Sequence, residues 1–62
     1  MIKEVFTEFI LEFETIDGEE DVIFKNKLMP LLKYVRKFNV KKYRITGFRG
    51  GKWELIIRTV GY

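Results

Sequence analysis

The clearest structural signal in the chain is residues 5–25, VFTEFILEFETIDGEEDVIFK. Residues 3–16 alternate between two sets of side chains, and a period of two is typical of a β-strand with two different faces. The odd-numbered face carries Phe9, Leu11 and Phe13, while glutamates alternate with apolar groups on the even-numbered face. We therefore expect a long first strand over residues 3–16.

Asp17-Gly18 follows this strand and is a strong hairpin signal, because a two-residue type I′ turn needs positive φ at both central positions. Such a turn would place Leu11 opposite Phe24, so that the apolar faces of the two strands match. The sequence therefore predicts a second strand over residues 19–25.

A helix is predicted next, since apolar residues recur at helical spacing with lysines on the opposite side. The apolar stripe consists of Leu28, Leu31, Leu32, Val35 and Phe38. Two starts are open, with either Asn26 as the N-cap or Pro30 as the first helical residue. Asn39 readily adopts the left-handed conformation that ends a helix.

The last third of the chain predicts a second hairpin, with strands over residues 41–48 and 52–60 around a glycine pair. A two-residue loop would pair charged side chains with apolar ones. A three-residue loop over 49–51 instead pairs Ile45 with Leu55 and gives a coherent apolar face. We therefore expect the three-residue loop.

Together these elements predict a single α+β domain over residues 1–62 with the order ββαββ. One helix would pack on one face of a four-stranded, mainly antiparallel sheet. Strand order 2-1-3-4 makes every neighbouring pair antiparallel, and the helical crossover between strands two and three should be right-handed. Because a chain this short buries only about 60% of its unfolded surface and has no cysteine, association is the other route to stability besides hydrophobic packing.

Charge divides the chain into two unlike parts. Residues 1–21 hold eight carboxylates and the single base Lys3, whereas residues 22–62 hold eleven bases and the single acid Glu54. The two parts therefore carry net charges of −7 and +10, which give the overall +3. A dipole of this size is neutralised within the sheet, across a dimer or by a charged partner.

The sheet face away from the helix would carry more large apolar groups than a solvated face needs. We expect them to be Phe6, Ile10, Ile16, Ile23, Phe48, Ile56 and Val60. Scattered exposure is the simpler interpretation, since much of any protein surface is apolar. A contiguous patch that self-associates or docks a partner is the interpretation that we favour.

The function predicted from these features is that of a non-enzymatic protein-interaction module. It would be a homodimeric inhibitor or regulator of the small phage type, binding a larger protein through the open sheet face and the basic hairpin. The candidate partner-binding residues are the anchors Phe6, Ile10, Phe48 and Ile56 and the charged residues Arg44, Arg49, Lys52 and Arg58.

A DNA- or RNA-binding protein is the alternative, because bases alternate with aromatic residues in the second hairpin. The basic helix would contribute phosphate contacts. The candidate nucleic-acid-binding residues are Lys33, Arg36, Lys37, Lys41, Lys42, Arg44, Phe48, Arg49 and Lys52.

Catalytic chemistry is not expected, since histidine, cysteine and serine are all absent. Glu12 and Glu14 share a strand face, but an open sheet implies no cleft for an acid–base pair. The acidic turn around residues 17–21 does not match an EF-hand loop. We therefore predict no catalytic residue, no metal and no cofactor.

The N-terminal residues carry acids where a signal peptide would have an uninterrupted apolar stretch. No run of the chain approaches the about 20 apolar residues that span a bilayer. The expected location is the cytoplasm, without membrane association.

Overall fold

The computed structural model describes residues 5–38 and 40–62 and confirms the α+β fold with the order ββαββ. The elements are β1 (Glu8–Glu14), β2 (Glu20–Lys25), α1 (Leu28–Lys37), β3 (Lys42–Arg49) and β4 (Lys52–Arg58). The strands form one antiparallel sheet in the order β2-β1-β3-β4, as the sequence predicts. The expected ends at residues 3–4 and at Asn39 lie outside the described residues.

The core lies between α1 and one face of the sheet. Its buried side chains are Phe9, Leu11, Phe13, Leu31 and Ile45. Leu11 and Ile45 are cross-strand partners at the centre of the sheet, and the buried helical residue Leu31 joins their cluster. We call the side that carries these residues the helix face, and the opposite side of the sheet the open face.

The first hairpin differs from the prediction by one residue. Thr15 pairs with Glu19 around a three-residue loop, since the Thr15 N–H donates to the Glu19 carbonyl at 2.8 Å and Gly18 has a φ of 87°. The observed partner of Leu11 is therefore Ile23, and Phe24 turns to the open face beside Ile10. Our expected two-residue turn with Leu11 opposite Phe24 is wrong, because a glycine in the left-handed region also serves a three-residue loop.

The second hairpin differs in the opposite direction. Arg49 pairs with Lys52, so the loop contains only Gly50 and Gly51, with φ values of 58° and 79° that fit a type I′ turn. A bulge next to Ile45 then shifts the register, so that Ile45 lies opposite Ile57. The expected three-residue loop is wrong, because the bulge restores the apolar pairing that we attributed to loop length.

The helix begins at neither of the two predicted places. Lys27 is the N-cap residue with extended backbone and without a side-chain cap, and Pro30 is the third helical residue. The N–H groups of the first turn have no intrahelical partner, so proline loses no hydrogen bond at this position. At the other end Arg36 and Lys37 lie in the last turn, where positive charge complements the helix dipole.

We expect Gly51→Ala to lower the free energy of unfolding by about 1–2 kcal/mol, because a side chain in the left-handed region is strained. Denaturant unfolding followed by circular dichroism would measure it. The matched control is Gly50→Asn, which creates the favoured Asn-Gly type I′ pair and should leave stability nearly unchanged. Equal stability of the two variants would contradict the two-residue turn.

Candidate interaction surface

The open face is apolar at one of its two ends. Cross-strand pairing places Phe24, Ile10, Thr46 and Leu55 in one row across the four strands, and Glu8, Phe48 and Trp53 in the next row. Phe24, Leu55 and Trp53 are 69%, 51% and 47% exposed, and the rings of Phe48 and Trp53 pack at 5.0 Å between centroids. We name the set Ile10, Phe24, Phe48, Trp53 and Leu55 the apolar end.

The other end of this face is built from ion pairs. The Arg44 guanidinium donates through Nη2 to both carboxylate oxygens of Glu12 at 2.8 Å, while Lys41 and Lys42 lie 3.6 and 3.8 Å from the Glu14 carboxylate. Such cross-strand pairs favour the β1–β3 register. We name the set Glu12, Glu14, Lys42, Arg44 and Arg58 the charged end.

Tyr62 lies against the charged end. The Lys42 ammonium and the Arg44 guanidinium lie 5.9 and 5.6 Å from the centre of its ring. Burial raises the pKa of the Tyr62 hydroxyl, and the negative charge of Glu12 adds to the rise. The C-terminal residue thus covers part of the charged end and leaves the apolar end open.

A shallow depression of about 400 Å³ lies where β1 begins and β2 ends. It is lined by Glu8, Phe9, Phe24, Lys25, Asn26 and Trp53. Two of its walls therefore belong to the apolar end, which gives that end a concave site for an apolar side chain.

Two of the four predicted anchors belong to the helix face. Gly47 pairs with Phe9 and is buried, and a Cβ added to it would stand 2.6 Å from Phe6 and 2.7 Å from Ile56. Both side chains therefore cover this glycine on the side of the core, and their predicted place on the open face is wrong. The physical reason for Ile56 is the two-residue loop, which pairs Phe48 with Trp53 and so reverses the expected faces of residues 53–56. For Phe6 it is the end of regular alternation before β1.

The other apolar residues predicted for the open face are likewise found only in part on that face. Ile10 and Phe48 lie there as expected, whereas Ile23 opposes Leu11 on the helix face. Ile16 lies in the first loop and Val60 lies beyond the end of β4.

The sequence prediction missed Val22, Phe24, Trp53 and Leu55 as open-face residues. Val22, Phe24 and Leu55 belong to runs of consecutive apolar residues, 22–24 and 55–57, and Trp53 lies two residues before the second run. A run of consecutive apolar residues always points one of them outward, so it signals exposure but does not say which residue is exposed.

The predicted charged contacts are also distributed over both faces. Arg44 and Arg58 are paired residues on the open face. Arg49 binds the Glu54 carboxylate at 2.6 Å, and its guanidinium lies 4.6 Å from the ring of Phe6 on the helix face. Lys52 opposes Arg49 next to the second turn.

The predicted nucleic-acid residues do not form one surface. Lys33, Arg36 and Lys37 are exposed on α1, whereas Arg44 and Phe48 lie on the open face. Four bases of the set are within reach of carboxylates: Lys41, Lys42, Arg44 and Arg49. These ion pairs reduce the positive charge that phosphates would meet.

Comparison with protein-family models, with curated proteins and with solved structures finds no match for this chain. Among residues 5–38 and 40–62, no three acidic side chains come together in a group able to hold a metal ion. The same residues contain no helix with the length and apolar character needed to cross a membrane.

We expect Arg49→Gln to raise the pKa of Glu54. The hydrogen bond from Arg49 favours the carboxylate and lowers this pKa below its ordinary value, with a smaller contribution from Lys52. Because the folded-state pKa is lowered, the stabilisation from this pair is present at neutral pH and is lost as the pH falls through that pKa. Carboxyl ¹³C shifts measured in a pH titration would report the change.

Lys52→Gln is the matched control and should raise the Glu54 pKa by less than Arg49→Gln does. If Arg49→Gln left the Glu54 titration unchanged, the ion pair between Arg49 and Glu54 would be refuted.

Proposed function

We propose that this protein is a non-enzymatic protein-interaction module, a small phage-type inhibitor or regulator that acts in the cytoplasm. It binds through the open face, with the basic hairpin at the edge of the contact. The single observation that carries the proposal is the apolar end, where Trp53 and Leu55 are about half exposed and Phe24 is 69% exposed on the face opposite α1.

A domain of this size gains much of its stability from each large side chain that it buries. Full burial of one large apolar side chain contributes roughly 1.5–3 kcal/mol, so completing the burial of three half-exposed ones contributes several kcal/mol. A domain of 62 residues has a small core, and a partner that binds only the folded state adds to its stability.

The two ends of the open face would contribute to recognition in different ways. Aromatic groups such as Phe24 and Trp53 supply contact area, while charged residues at the edge affect the association rate and the choice of partner. Arg58 lies on the edge strand β4, opposite Arg44 of β3, and is suited to this second role. Because Lys42 and Arg44 are paired with Glu14 and Glu12, the open face offers little positive charge to phosphates, and this favours a protein partner over a nucleic acid.

Capture of partners from a lysate of the expressing cells tests the proposal. We expect the immobilised wild type to retain a protein after nuclease treatment. Leu55→Glu should retain at least about tenfold less of that protein. The control is Met29→Glu, since Met29 is 60% exposed on α1, where a glutamate in the first helical turn is tolerated. Circular dichroism checks that both variants fold.

Two outcomes would contradict the proposal. One is that Leu55→Glu and Met29→Glu retain equal amounts of every captured protein. The other is that nuclease abolishes capture and that Lys41→Glu with Lys42→Glu does the same, which would favour the nucleic-acid alternative.

A further inference from the structure

We infer that a second copy of this chain occupies the open face, related by a two-fold axis that runs parallel to the strands between β1 and β3. The inference rests on the proposed function, because it names the partner of the same surface. It is carried by the distribution of charge across the four strands.

The acids and bases of the open face lie on different pairs of strands. The residues Glu8, Glu12, Glu14 and Glu20 stand on β1 and β2, and the residues Lys42, Arg44 and Arg58 stand on β3 and β4. One half of the face is therefore acidic and the other half basic, with the boundary between β1 and β3. A surface with this arrangement is complementary to itself.

Complementarity selects the direction of the axis. When two such faces meet about an axis parallel to the strands, β1 of one copy lies over β3 of the other, and acid meets base. An axis across the strands would instead lay β1 over β1 and bring glutamates together, which is unfavourable. Two sheets that pack face to face commonly keep their strands within about 30° of each other. Both axes meet this condition, so the charges decide between them.

The same axis also matches the apolar end. Rows keep their position along the strands under this operation, so Phe24 of one copy faces Leu55 of the other, and Ile10 faces Thr46. In the neighbouring row Glu12 faces Arg44, so that two existing ion pairs form a ring of four alternating charges around the axis once the Tyr62 ring, which lies 5.6 Å from the Arg44 guanidinium, turns aside. The Phe24–Leu55 row and the Glu12–Arg44 row are therefore matched together, whereas Glu8 faces Phe48 in the row nearest the second turn.

The expected contact is small. Four strands about 4.8 Å apart and seven residues long at about 3.3 Å per residue give a flat face of about 440 Å². A standard interface takes about 800 Å² from each partner, so the open face lies below this size even with its side-chain relief. We therefore expect a dimer that dissociates on dilution and leaves the exposed bases of α1, such as Lys33, available.

Sedimentation velocity over a dilution series tests the dimer. The wild type and Met29→Glu should dimerise with increasing concentration, and Leu55→Glu should weaken dimerisation by more than about tenfold. A wild type that stays monomeric, or a dimer that Leu55→Glu leaves intact, would overturn the inference. The nuclease-treated capture experiment would then still report on the proposed function, because it does not depend on self-association.

A charge-swap variant tests the axis. The double change Glu12→Arg and Arg44→Glu keeps the pair within each chain and the complementarity within its own dimer. Mixed with the wild type, however, it would place acid over acid and base over base. Native mass spectrometry should therefore find mixed dimers below their statistical share. A share at or above the statistical value would overturn the axis.

A second measurement keeps the axis testable if the charge-swap variant does not fold. The natural chain has no cysteine, so single Ile10→Cys and Thr46→Cys chains can be joined by a short thiol cross-linker. Mixing them should give cross-linked dimers faster than either variant gives alone. Faster cross-linking within the Ile10→Cys sample alone would indicate β1 over β1 and refute the proposed arrangement.

Discussion

Leu31 packs with Leu11 and Ile45 in the buried cluster that joins the only helix of the described residues to the sheet. A helix of ten residues is about 15 Å long and can cover one face of four strands but not both. The helix face is therefore closed over a small core. The apolar groups of the open face are exposed to solvent unless a partner covers them. This constraint makes the apolar end the candidate binding surface.

The fold class and strand order were predictable because long-range features define them. Alternation over β1, the helical spacing of α1 and the general preference for right-handed crossovers admit few arrangements. The registers were not predictable, since each depends on a single residue in a loop or bulge. In residues 22–24 and 55–57 the apolar side chains are consecutive, so a shift by one residue leaves an equally apolar core.

These registers also decide which part of the candidate site was foreseen. Ile10 and Phe48 lie on β1 and β3, where the predicted parity is correct. Phe24 and Trp53 follow the two loops whose lengths were mistaken, so they appear on the face opposite to the expected one. The charge division and the strand order were visible in the sequence and place acidic β1 beside basic β3, yet which base pairs with which acid needed the register of the sheet.

Solvent paramagnetic relaxation of side-chain NMR signals, measured on dilute protein, tests the central claim most directly. The account predicts strong relaxation at Phe24, Trp53 and Leu55 and weak relaxation at the core residues Leu11 and Ile45. If the Phe24 and Trp53 side chains were as protected as Leu11 in the monomer, the open face would not be open, and the account would be contradicted.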